Sequence, residues 1–172
     1  GNPHPDFIYG FTNIFSYKGF DLNIFFQGSQ GNDVFNGSRL FLESLQGGDN
    51  QLEVINDRWQ QPGDITNIPA ATNDPEQAAS NVRASSRFIE DGSSLRLKNL
   101  TLGYNFHIGD RLKNSISGFR VYFTGQNLFT LAKYSGLDPE VNYRGNDNAV
   151  IGTDFFTFPQ ARIYSFGLNL TF

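Results

Sequence analysis

Histidine, aromatic and paired acidic side chains are the groups in this 172-residue sequence that could do chemistry, and their spacing argues for binding more than for catalysis. His4 and His107 stand 103 positions apart, and His107 falls in a predicted turn. With no cysteine present either, neither a zinc cluster nor a Ser-His-Asp arrangement has support. GNDVFNG (31–37) lacks the lysine and spacing of a phosphate-binding loop, and GSQG (28–31) does not match a nucleophile elbow. Glu90 and Asp91 are neighbours that read as closing a turn before Gly92. Trp59 in DRWQQPGD, Tyr134 in KYSGLDPEV and Tyr143 are the candidates for contact with a ligand or a partner protein, because aromatic faces stack on sugar rings; anchoring of a loop, on this protein or on a partner, is the favoured of the two readings. No cofactor is implied, and the chain does not read as an enzyme.

The elements that must position these groups are strands. In ARIYSFGLNLTF (161–172), Tyr164, Phe166, Leu168, Leu170 and Phe172 alternate with Ser165, Gly167, Asn169 and Thr171. That is the period of a β-strand with one apolar and one mostly small, polar face. Phe7, Tyr9, Phe11 and Phe15 repeat the pattern, as do Phe20, Leu22, Ile24 and Phe26, and SYKG between them predicts a tight hairpin. In SLRLKNLTLGYNF (94–106) the apolar parity switches, so one extra residue near Lys98 and Asn99, a β-bulge, is needed to keep a common face. FRVYFTGQNLF (119–129) makes the fourth strand and the closing segment the fifth. On the polar faces stand Asp21, Asn23, Gln27, Arg120, Thr124 and Gln126.

Composition agrees with an all-β chain. There are 18 Phe, 7 Tyr and 18 Gly, but no Met or Cys. A chain that begins at Gly1 without Met reads as a processed product or a fragment. No run of about 18 apolar residues could cross a bilayer as a helix, so a membrane would be met through strands. Each predicted strand is about ten residues, enough for a tilted crossing. Connections alternate between short or moderate (SYKG, 107–118) and long (31–92, 130–158), as in outer-membrane barrels with short periplasmic turns and long outside loops. Residues 31–92 hold ten acidic and four basic residues, which argues against nucleic acid and suits a solvated loop. A soluble β-sandwich that binds carbohydrate through its loops is the rival reading, favoured by a mean hydropathy of −0.38.

SSRFIEDGSSLRLKNLTLGYNF (85–106), FRVYFTGQNLFTLAKYSGLDPEV (119–141) and FPQARIYSFGLNLTF (158–172) resemble, in order, the C-terminal end of SusC/RagA-type TonB-linked outer-membrane proteins of Bacteroidetes. The resemblance implies a transmembrane β-barrel of about 22 strands, of which this chain would supply the last five, with 31–92 as a long extracellular loop and without the plug domain. It further implies uptake of glycans or peptides across the outer membrane. The implied partners are a SusD-like surface lipoprotein lid and TonB-ExbB-ExbD, the latter acting through the missing N-terminal part. By the same resemblance, Tyr164, Phe166 and Phe172 would form the aromatic signal read by the barrel assembly machinery, and the six polar-face residues would line the lumen. Trp59, Tyr134 and Tyr143 would meet ligand or lid. Five antiparallel strands cannot close on themselves, so the expectation is a portion of a larger barrel embedded in outer-membrane lipid.

Overall fold

A computed structural model of the chain describes residues 1–109, 116–145 and 147–172. In chain order its elements are β1 (Phe7–Tyr17), β2 (Phe20–Gln30), β3 (Asp33–Asn36), α1 (Gly37–Leu42), α2 (Pro75–Asn81), β4 (Ile89–Asp91), β5 (Ser94–Phe106), β6 (Gly118–Ala132), β7 (Thr153–Asp154) and β8 (Ile163–Thr171). They divide into two units.

The first unit holds 6–30, 93–132 and 160–172 and is an antiparallel sheet in the order β1-β2-β5-β6-β8. These are the five strands expected from the alternation. The β1–β2 hairpin closes through Lys18 and Gly19, both at positive φ, the two-residue turn whose twist matches the flanking strands. Lys98 is the extra residue where β5 bulges: Phe25 faces Asn99, but the next residue, Phe26, faces Leu97. A second irregularity, which the sequence did not announce, lies in β6. Two residues there oppose the single Lys98, and Asn127 takes a left-handed φ of 51°. The predicted turn 107–118 is described only at its ends, since 110–115 lie outside the described residues.

Register makes the sheet two-faced, because directly opposed residues share a side. One row runs Phe15, Leu22, Leu102, Phe123, Phe166; the adjacent row on the other side runs Ile14, Asn23, Thr101, Thr124, Ser165. The apolar side stays uncovered: Phe166 is 82% and Leu168 62% exposed, and Leu97 is the one hydrophobic residue of this sheet in the buried class. The other face is fitted around missing side chains. A Cβ on Gly167 would collide with the Tyr122 ring, and one on Gly103 with both Arg120 and Asp21.

The second unit gathers 1–5, 31–92 and 133–159. Its small sheet has the order β4-β3-β7, with β3 antiparallel to β4 and parallel to β7. Val34, Tyr134 and Val141 form its core, and Phe88 is fully buried. The expected long loops 31–92 and 130–158 are therefore not two separate excursions but halves of one folded body. Strands of two to four residues carry too little alternation to be read from sequence.

Gly167→Val should cost about 1–3 kcal/mol by forcing a side chain into the Tyr122 ring. The unfolding midpoint of the complete protein measures it, with Gly48→Ala, which meets nothing within 4 Å, as the neutral control.

Candidate functional site

On the polar side of the sheet, the six predicted residues Asp21, Asn23, Gln27, Arg120, Thr124 and Gln126 share one face, as the register requires. They are not equivalent. Arg120 donates to Asp21 through Nε (3.1 Å) and Nη2 (2.5 Å), and Asn105 donates to the same carboxylate at 2.9 Å. Gly103 lies between the two on β5, where it leaves room for this pair; the Arg120 guanidinium also lies 5.1 Å from the Tyr122 ring centre. Both charged side chains are about one-quarter exposed, so each is held and still reachable. Further along the face, Thr124 shares a 3.2 Å hydrogen bond with Thr101. Asn105 and Tyr122 also belong to this cluster: alternation sets Tyr122 on the same face as Arg120, but strand parity alone does not show that either side chain meets the ion pair. Tyr164, Phe166 and Leu168 fall on the apolar side with Phe123 and Val121. The Phe123 and Phe166 rings lie 5.1 Å apart, whereas Phe172 follows the end of β8 and is 86% exposed.

In the second unit a partly buried carboxylate does the organising. Glu90 on β4 accepts hydrogen bonds from the Ser135 amide (2.7 Å) and hydroxyl (2.8 Å), Arg39 Nη1 (2.9 Å) and Asn36 Nδ2 (3.1 Å). Burial alone would raise its pKa; these donors outweigh it and hold the carboxyl below its ordinary 4.5. Arg39 continues to Glu43, itself 1% exposed, so one network ties α1, β4 and the segment after β6. Asn36 also caps α1, accepting from the Arg39 amide.

The three aromatic candidates separate by environment. Tyr134 is 8% exposed and donates to Asp154 at 2.6 Å; burial first, and that hydrogen bond second, raise its pKa above the ordinary tyrosine value. Its ring and hydroxyl are thus committed to the interior, which makes it an anchor for the segment after β6. Tyr143 packs edge-on against Phe155 at 5.2 Å with Arg144 over its ring. Trp59 is exposed, its amide bonded to the Ile68 carbonyl, and forms one wall of a polar pocket. Among the described residues no group of three or more His, Cys, Asp or Glu is placed to hold a metal.

No family model matches the chain. Individual relatives do. TonB-dependent receptor P3 of Formosa agariphila is 39% identical over 176 residues, and the alignment takes in all of this chain. TonB-dependent receptor SusC of Bacteroides thetaiotaomicron is 31% identical over 171 residues, covering 99% of this chain. Along its whole length the chain is similar to TonB-dependent receptors of the SusC/RagA type. It spans 17% of the length of the Formosa receptor and 15% of SusC. Among solved structures, the RagAB peptide importer in its closed-closed state superposes with a TM-score of 0.77 at 29% identity, over 99% of this chain and 18% of that one. The open-open state of the same importer also gives 0.77, at 30% identity over 98% of this chain and 17% of that one. The antiparallel sheet found here is thus a receptor-type sheet, and these relatives are receptors and transporters.

Because the folded pKa of Glu90 is depressed, its contribution to stability is present above its unfolded value of about 4.5 and is lost as pH falls through the folded value. Hydrogen exchange in 31–92 and 133–159 should therefore accelerate on acidification below pH 4.5 in the native receptor, and less so in Glu90→Gln, which has no such proton to take up.

Proposed function

We propose that the chain is the C-terminal five strands of a plugged barrel of about 22 strands in the outer membrane of a Bacteroidetes-type cell, and that the complete protein imports glycans or peptides. The observation that carries this reading is the two-faced sheet: five paired strands with an uncovered apolar side, superposable on the RagAB peptide importer. Aqueous solvent gives such a face no favourable neighbour, whereas lipid tails do. A soluble carbohydrate-binding sandwich would need a second layer over those same residues, and Phe166 at 82% exposure speaks against it.

With the apolar side toward lipid, Asp21, Asn23, Gln27, Arg120, Thr124 and Gln126 line the lumen. Charges half-held by neighbours suit a surface against which a plug packs and from which it is withdrawn. The β1 and β8 edges each pair with a strand of the remaining barrel, which leaves no backbone group unsatisfied in hydrocarbon. The second unit lies outside the cell, where Trp59 and Tyr143 are available to a SusD-like lipoprotein or to cargo. TonB-ExbB-ExbD supplies energy through a plug that precedes these strands, and the barrel assembly machinery reads Tyr164, Phe166 and Phe172. Transport is by gating, without catalysis.

The receptor should fractionate with outer membranes, and uptake of its cargo should cease in a TonB-deficient strain. Recovery in the soluble fraction would contradict the assignment. Phe172→Ser should lower the amount of folded, heat-modifiable receptor several-fold, and normal insertion would remove the signal role.

A further inference from the structure

The pocket beside Trp59 has a chemistry unlike the unit that holds it. Residues 31–92 are acidic overall, with ten carboxylates against four arginines. Yet two of those four, Arg83 and Arg87, line this cavity of about 450 Å³ and none of the ten carboxylates does. Asn67, Asn81, Ser80 and Ser85 supply further polar groups to its wall, and Trp59 an aromatic one. The walls are held in place by the Trp59 amide on the Ile68 carbonyl at 3.0 Å and by Asn81 Nδ2 on the Ala70 carbonyl at 3.0 Å. Those bonds preserve the cavity without filling it.

Its charge is under-compensated. Arg39 donates to both oxygens of Glu43 and to one of Glu90, which also accepts from Asn36 and Ser135. Arg87 reaches Glu43 only at 3.6 Å and touches the Asn67 carbonyl at 3.4 Å. Its Nε and Nη2 are buried with no hydrogen-bond acceptor among the described residues, although the Phe88 ring lies 4.4 Å beneath the guanidinium. Burial depresses the pKa of Arg87, which is the mark of a cation short of counter-charge. Arg83 is exposed, and its guanidinium has no ion pair with another described residue. A buried donor without an acceptor calls for a ligand, an ion or water.

We propose that this pocket binds an anionic sugar unit, one bearing a carboxylate or a sulfate. The oxyanion sits between Arg83 and Arg87, the ring lies against the indole of Trp59, and the Asn and Ser side chains take the hydroxyls. Guanidinium groups can donate two parallel hydrogen bonds to either oxyanion, the planar carboxylate or the tetrahedral sulfate, and an aromatic face suits the C–H side of a pyranose. A bare anion would leave the indole unused, and a neutral sugar would leave the arginines unanswered. The inference rests on the transport reading only for placing the pocket outside the cell.

The test is calorimetric titration of the intact, detergent-purified receptor with four probes: tetragalacturonate, a sulfated galactan tetrasaccharide, neutral galactotetraose and tetraglutamate. The expected result is binding of an acidic sugar at least tenfold tighter than of galactotetraose or tetraglutamate. Arg83→Gln and Trp59→Ala should each weaken it at least tenfold, with the unfolding midpoint of Arg83→Gln unchanged. Equal binding of neutral and acidic tetrasaccharides, or full affinity in both variants, would overturn the proposal. Tetraglutamate binding as tightly as the sugars would overturn the sugar assignment. TonB-dependent uptake, assayed separately, reads the transport reading alone, so loss of one result does not imply loss of the other.

Discussion

Backbone hydrogen bonding with nothing but neighbouring strands to satisfy it is the constraint on which the five-stranded sheet depends. Each internal strand is paired on both sides over most of its length, from Phe7 opposite Gln30 to Gln126 opposite Ile163. This pairing is what permits the apolar face to be left bare, since only a backbone that needs no water can be surrounded by hydrocarbon. The face then selects its surroundings. A row such as Phe15, Leu22, Leu102, Phe123 and Phe166 would be an aggregation liability in water and is an ordinary exterior in a membrane.

The opposite face solves a different problem, that of bringing charge and aromatic bulk close to a continuous backbone. Gly103 and Gly167 leave the space in which the Asp21–Arg120 pair and the Tyr122 ring lie. The glycines therefore belong to the polar surface as much as the side chains do. In the second unit the corresponding role falls to Glu90, which converts two distant stretches of sequence into one body by gathering donors from Asn36, Arg39 and Ser135.

Period-two alternation makes the sheet legible in the sequence. The hairpin, the five strands and even the Lys98 bulge follow from which parity carries Leu and Phe, because each error of one residue would reverse a face. The second unit was not legible for the same physical reason: β3, β4 and β7 are too short to show a period, and the β3–β7 pairing joins residues more than a hundred positions apart. Tyr134 illustrates the limit. Its sequence context cannot reveal that Asp154 waits for its hydroxyl. Nor does any spacing rule connect Trp59 to Arg83 and Arg87, whose meeting depends on the fold of the intervening chain.

The two sides of β8 meet different solvents if this sheet is part of a membrane barrel. Spin labels placed singly at positions 164, 165, 166, 168, 169 and 170 of the complete receptor in lipid vesicles report it through collisions with oxygen, which concentrates in hydrocarbon, and with a water-soluble nickel chelate; Gly167 is left unlabelled because a side chain there meets the Tyr122 ring. A period of two is expected: labels replacing Tyr164, Phe166, Leu168 and Leu170 relax with oxygen, and those replacing Ser165 and Asn169 do not. Uniform access to the nickel chelate on both sides, or the opposite parity, would contradict it.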